Sequence, residues 1–250
     1  MARIVAIILQ KGGTAKSVTT ANLGMALSER GQRVLLIDLD PQASLTESLG
    51  VKPTDLTKSL HEVLIGEAAL LDVALTIGSM TLIPSVIDLA SAELLMSAEV
   101  GRDQILTEAL APALAQYDWI LIDCPPSLGL LTLNALTAAD EYLVPCETQF
   151  LALRGLDHLT KTIDRVKRRT NPRLRLLGVL PTKYNPRTTL DNEVLSELRD
   201  RYPGKVFDPV KFSVRFSEST VAGKTLLEYD PKHPGAQSYR DLAEVISRAS

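Results

Sequence analysis

The chain has 250 residues, 45% of them hydrophobic and 23% charged, with a formal net charge of −3. That is enough apolar material for one large domain or two small ones with a full core, and the composition excludes a disordered chain. No apolar run has membrane-spanning length, Met1-Ala2-Arg3-Ile4 leads straight into an expected strand and does not read as a signal peptide, and the net charge gives no global attraction to nucleic acid.

Residues 4–9 are continuously apolar and predict a first strand. A helical pattern over about 16–30 follows, closed by Gly31. Residues 34–37 predict the second strand, and 51–69 predict helices laid over a sheet edge. A strand at 81–84 and a helical stretch starting near residue 87 come next. Buried strands are expected at 119–122 and 142–144, with a helix near 130–139 between them. The chain then predicts a helix over 154–168, a strand over 174–180, a helix over 188–201 and a last helix over about 237–248. Short apolar strands alternating with helices imply an α/β fold, a mostly parallel twisted sheet flanked by helices on both faces. Cys124 and Cys146 follow apolar runs far apart in sequence and read as buried free thiols of a reducing, cytoplasmic setting.

Three strand ends carry chemistry, which is where parallel sheets bind ligands. Behind the first strand stands Lys11-Gly12-Gly13-Thr14-Ala15-Lys16-Ser17. Lys16 beside the Ser17 hydroxyl matches the end of a phosphate-binding loop, whose amides wrap phosphates and whose hydroxyl binds Mg²⁺. Lys11 opens the loop where only a glycine or small residue is required. A cation there bends back poorly onto its own nucleotide and suggests a lysine offered to a neighbouring subunit. Behind the second strand, Asp38-Leu39-Asp40-Pro41-Gln42 reads either as carboxylates that orient water or hold Mg²⁺, or as a polar turn capping a helix. Asp123-Cys124-Pro125-Pro126 follows 119–122, and an apolar strand ending in Asp is the Walker B arrangement. Each signal is modest alone; three at successive strand ends are specific.

These motifs resemble the deviant Walker A ATPases of the ParA/MinD group, the ParA branch more closely. The run from Pro145 to Leu156 also resembles the segment that follows the Walker B strand in that branch. So do Tyr184-Asn185-Pro186-Arg187-Thr188, Val214-Arg215-Phe216-Ser217-Glu218, and Gly223-Lys224 with Tyr229-Asp230-Pro231. The resemblance covers essentially the whole chain and implies a single ATPase domain over 1–250, without an N-terminal helix-turn-helix extension.

What the resemblance implies is an ATP-dependent switch with ATP and Mg²⁺ as cofactors. Two subunits would close face to face as a homodimer, each Lys11 reaching the phosphates in its partner's site. The logic is that of an arginine finger in trans, which contributes ~10³–10⁵ in rate elsewhere. Residues 11–18, namely Lys11, Gly12, Gly13, Thr14, Ala15, Lys16, Ser17 and Val18, would hold the nucleotide, with Asn185 at the adenine edge. Ser17 would bind Mg²⁺, Asp123 a metal-bound water, and Asp38 would belong to the metal site as a partner behind it. Asp40 would position the attacking water. The dimer would bind double-stranded DNA without sequence preference through Arg187, Arg215, Lys211 and Lys224, with Lys183 nearby, and so associate with the nucleoid. A ParB-like protein or cargo adaptor would stimulate hydrolysis, and the cargo would be a plasmid, a chromosome origin or a protein body.

The chain also departs from the family pattern. Ala15 replaces the glycine before the loop lysine, and Val18 replaces a second hydroxyl. The segment Pro209-Val210-Lys211-Phe212-Ser213 is shorter than its counterpart in the family and lacks the proline often set there against adenine. The basic run 165–169 reads as a solvated helix end. A MinD-like membrane switch needs a basic, bulky C-terminal amphipathic helix, whereas residues 239–248 read as a packing helix. An iron–sulfur role is disfavoured by the spacing of Cys124 and Cys146, and a metabolic P-loop enzyme of the same fold by the arginines and the whole-chain match.

Overall fold

A computed structural model describes residues 2–10, 13 and 15–248 of the chain, with the backbone alone described at 150–154. Seven strands form one sheet among the described residues: β1 (Arg3–Ile7), β2 (Val34–Asp38), β3 (Leu75–Ile77), β4 (Met80–Ile83), β5 (Trp119–Asp123), β6 (Glu141–Glu147) and β7 (Arg175–Thr182). Their order is β3-β4-β2-β5-β1-β6-β7, and every neighbouring pair is parallel except β3 with β4. The helices are α1 (Lys16–Glu29), α2 (Ser44–Ser48), α3 (Leu60–Leu64), α4 (Leu89–Met96), α5 (Ile105–Leu110), α6 (Leu130–Ala138), α7 (Phe150–Arg169), α8 (Thr189–Arg201), α9 (Arg215–Val221), α10 (Leu226–Tyr229) and α11 (Pro234–Arg248). The α/β architecture expected from the alternating pattern is the one observed.

Burial on both faces explains why β1 is apolar at almost every position. Ile4, Ala6 and Ile8 enter one core with residues of α3 to α7, while Val5 and Ile7 enter the other with α1 and α11. One face of α11, with Ala236, Tyr239, Leu242, Ala243 and Ile246, is buried in that second core, so the last helix is a packing helix. Among the described residues, no helix is long and apolar enough to cross a membrane.

Several boundaries differ from the sequence expectation. The strand β3 was not foreseen: it has three half-buried or exposed residues and pairs through a two-residue Gly78-Ser79 turn, Gly78 having φ +56°. Strand β6 runs on to Glu147 because it keeps pairing with β7 beyond Leu143, where its ladder with β1 ends. The open side leaves room for Pro145, which has no N–H to give. Residues 51–69 hold only a 3₁₀ turn at Pro53–Asp55 and α3, whose start is fixed by a reciprocal Ser59–Glu62 capping box. The helices α7 and α11 begin earlier than expected, at Phe150 and Pro234.

Because β1, β2, β5, β6 and β7 run parallel, their carboxyl ends lie along one edge of the sheet. Register then brings distant residues side by side: Ile7 is opposite Asp123, and Asp123 opposite Asp38. The helix α1 leaves this edge and packs on β2 and β4 at Gly24. A Cβ built there would come 2.7 Å from Leu36 Cδ2 and 3.1 Å from Met80 Sδ. Gly24→Ala should therefore destabilise the protein by about 1–3 kcal/mol through overpacking, read as a lower urea midpoint.

Candidate functional site

Asp38 and Asp123 are fully buried at the ends of adjacent strands, and Asp40 is nearly so. Both oxygens of Asp38 are engaged. Oδ2 accepts from the Thr46 amide at 2.8 Å and the Thr46 hydroxyl at 2.7 Å, and Oδ1 accepts from the Asp40 amide at 3.2 Å. Burial nonetheless pushes its carboxyl up to about 7 against those hydrogen bonds, with the Asp40 charge adding to the rise. Asp38 thus stands behind the site and shapes the Asp40 turn. Asp40 keeps its carbonyl on the Ser85 hydroxyl at 2.7 Å, and its Oδ1 accepts from the Gln42 amide at 3.0 Å. Ser85 also donates its amide to Thr46 Oγ1 at 3.0 Å, so a buried network ties the turn to the end of β4.

Asp123 is placed differently. Its Oδ1 accepts from Thr20 at 3.4 Å, and its Oδ2 is, among the described residues, the one buried side-chain polar atom with no hydrogen-bond partner. Burial and the neighbouring Asp38 push its carboxyl well above the ordinary range, opposed by the Ser17 hydroxyl and the Lys16 charge. An orphaned buried carboxylate oxygen facing a hydroxyl fits a divalent cation and its waters. Among the described residues no three His, Cys, Asp or Glu side chains converge as a cage. Mg²⁺ needs none, since it keeps several waters and takes oxygens from phosphates.

Of the loop ahead of α1, Lys11, Gly12 and Thr14 lie outside the described residues. Gly13 has φ +76° and Ala15 has φ +64°, ψ +28°, which makes Ala15 a left-handed cap of α1. Here is the physical meaning of the missing glycine: the position demands a left-handed backbone, and the alanine methyl makes that costly. Lys16 is buried and Ser17 half-buried at the first turn of α1, where helix amides and dipole favour an anion. Neither Thr19 nor Thr20 substitutes for a hydroxyl at Val18. Thr19 meets the Tyr239 hydroxyl at 3.1 Å, and Thr20 donates to the Lys16 carbonyl and Asp123.

A cleft of about 610 Å³ opens over these groups, within the range of small-ligand sites. Lys16, Ser17, Val18 and Asp40 are among the residues that line it, and Val210, Phe212 and Phe216 add apolar lining. Asn185, expected at the adenine edge, does not line this cleft. Its side-chain oxygen accepts from the Arg187 amide at 3.1 Å, in a turn before α8. Phe212, in the segment 209–213, lines the cleft and is well exposed.

All four expected DNA-contacting cations are exposed. Tyr184 and Lys211 pair as a parallel bridge, which sets the Arg187 turn next to the segment leading to Arg215 at the start of α9. Arg215 pairs with Glu218 at 2.7 Å, and Lys211 also lines the cleft. Lys224 lies beyond the far end of α9. Lys183, grouped with them from sequence, turns into the cleft. Cys124 and Cys146 are buried free thiols, and burial pushes the Cys124 thiol up, so neither is poised as a ligand or nucleophile. Thr46, Ser85 and Phe212 were not identified from sequence. Ser85 carries no local motif and reaches Asp40 only through the fold.

A family model described as an AAA domain matches residues 2–176. The chain is 40% identical to the sporulation initiation inhibitor protein Soj of Bacillus subtilis, with 99% of each chain covered. It is 44% identical to the chromosome partitioning protein ParA of Caulobacter vibrioides, over 98% of this chain and 94% of that one. Among solved structures it is similar to a Mycobacterium smegmatis protein named cobyrinic acid a,c-diamide synthase, with a TM-score of 0.89 and 43% identity, covering 99% and 95% of the two chains. That protein has been captured with ADP and magnesium and with an ATP analogue and magnesium.

Relief of the left-handed alanine is measurable. Ala15→Gly should raise the stability of the nucleotide-free protein by up to about 1 kcal/mol, the left-handed penalty outweighing the extra chain entropy of glycine. Urea denaturation with an unchanged slope checks it.

Proposed function

The chain belongs to the ParA/MinD family of partition and positioning ATPases, and on that premise we propose that it is an ATP-driven dimerising switch that binds DNA without sequence preference. The observation that carries the reading is that Lys16, Ser17 and Asp40 line a nucleotide-sized cleft while the orphaned Asp123 oxygen lies buried within electrostatic reach of the same three residues. ATP and Mg²⁺ are its cofactors. Lys16 neutralises the terminal phosphates, Ser17 and a water on Asp123 hold Mg²⁺, and Asp38 supports that site from behind. Asp40 orients the attacking water. The apolar lining of Val210, Phe212 and Phe216 takes the base. Lys11 acts on the phosphates of the partner subunit, and Gly12, Gly13, Thr14 and Ala15 supply amides.

In this reading Arg187, Lys211, Arg215 and Lys224 contact DNA phosphates from both subunits of the dimer, which makes binding salt-sensitive and holds the protein on the nucleoid. A ParB-like protein or a cargo adaptor stimulates hydrolysis and releases the dimer, and repeated cycles position a plasmid, a chromosome origin or a protein body. Burial of the apolar face of α11 favours DNA over a membrane as the surface. The name carried by the Mycobacterium smegmatis structure favours, as a second reading, a metabolic P-loop enzyme, which has no use for DNA.

A pair of variants tests the switch. Asp40→Ala should bind ATP and form the dimer while hydrolysis falls at least ~100-fold, and with ATP it should shift unrelated DNA fragments. Adding Arg215→Glu should keep the dimer and abolish the shift, as seen by sedimentation and electrophoretic mobility. A monomeric Asp40→Ala protein at saturating ATP contradicts the switch; DNA binding that ignores both ATP and Arg215 contradicts the DNA surface.

A further inference from the structure

Lys183 is a cation inside the cleft to which the roles above assign nothing. It follows β7 directly and holds φ +54°, a left-handed conformation that a lysine adopts only when its surroundings compel it. Its ammonium lies between two acceptors from different parts of the chain. It donates to the Gly13 carbonyl at 2.7 Å and pairs with Glu147 Oε1 at 2.5 Å, at the end of β6, where the carboxylate is almost wholly buried.

Gly13 is itself left-handed, and a Cβ there would meet nothing within 4 Å, so the backbone conformation rather than space accounts for the glycine. A loop that receives phosphate turns its N–H groups toward the anion, and its carbonyls must point elsewhere. A cation that grips the Gly13 carbonyl from the β6–β7 side fixes which way that carbonyl faces before any ligand arrives. Glu147 anchors that cation to the rigid sheet, and charge-assisted bonds are the strong ones.

We propose that Lys183 is a positioning residue that preorganises the phosphate-binding loop by tying the Gly13 carbonyl to Glu147. This rests on the nucleotide reading of the cleft and adds a role for a residue outside the loop motif. Preorganisation strengthens binding by removing an ordering cost, so it acts on ADP and ATP alike.

The test compares full-length wild type with Lys183→Gly and Lys183→Met, first without nucleotide, by hydrogen exchange of peptides covering residues 9–17. Glycine relieves the left-handed backbone and methionine keeps the length of the side chain; neither can hold the carbonyl. Both variants should melt cooperatively, exchange about tenfold faster in the loop, and bind fluorescent ADP and ATP about tenfold more weakly, the loss of one charge-assisted hydrogen bond. Loop exchange equal to wild type in both variants overturns the proposal, because Lys183 then only shapes its own turn. Faster exchange with unchanged nucleotide affinity also overturns it. Wild type that binds no nucleotide defeats the functional reading, and the exchange comparison still decides whether Lys183 holds the loop.

Discussion

Two carboxylates, Asp38 and Asp123, are forced together at the ends of adjacent buried strands, and the rest of the site answers that charge. Neither can be moved without moving a strand, because register fixes them opposite each other. The fold satisfies Asp38 from within, with Thr46 and the Asp40 amide. It leaves one oxygen of Asp123 unsatisfied, with the Lys16 charge and the Ser17 hydroxyl as the opposing groups. A buried polar atom without a partner costs roughly 1–3 kcal/mol, more for a charge, and a bound cation would recover it.

That arrangement follows from the topology. A parallel sheet buried on both faces brings the ends of β1, β2 and β5 to one edge, so a loop, a carboxylate turn and a single aspartate meet although they lie far apart in sequence. The helix α1 presents Lys16 and Ser17 at that edge because Gly24 lets it lie close against Leu36 and Met80. The Ser85–Asp40 and Thr46–Asp38 bonds then hold the Asp40 turn against the same edge. Among the described residues, the left-handed non-glycines fall at the cleft or beside it: Ala15 and Lys183 line it, and Ala43 sits between the lining residues Gln42 and Ser44. Strain concentrated beside a pocket is a common mark of a site shaped for a ligand.

Much of this was legible in the residues. Apolar runs followed by Lys16-Ser17, Asp38-Leu39-Asp40 and Asp123 announced both the parallel sheet and its binding edge, because a fully buried strand has no polar positions to confuse the pattern. What failed to show was short or long-range. The three residues of β3 carry too little hydrophobic signal, and nothing near Ser85 or Glu147 announces a partner tens of residues away. The resemblance sets Asn185 at the adenine edge; what the residues alone do not show is that its side-chain oxygen accepts from the Arg187 amide. Ala15 showed the opposite case. Its departure from glycine was visible in sequence, but the backbone angle that gives the departure its cost was not.

The central claim is that the lone Asp123 oxygen belongs to a Mg²⁺·ATP site. Calorimetric titration of the nucleotide-free protein with ATP, with and without Mg²⁺, tests it for wild type and Asp123→Asn. The account predicts ATP binding at least ~10-fold tighter with Mg²⁺ in wild type and no such gain in Asp123→Asn, which still binds metal-free ATP through Lys16. A full Mg²⁺ enhancement retained by Asp123→Asn, or none in wild type, would contradict it.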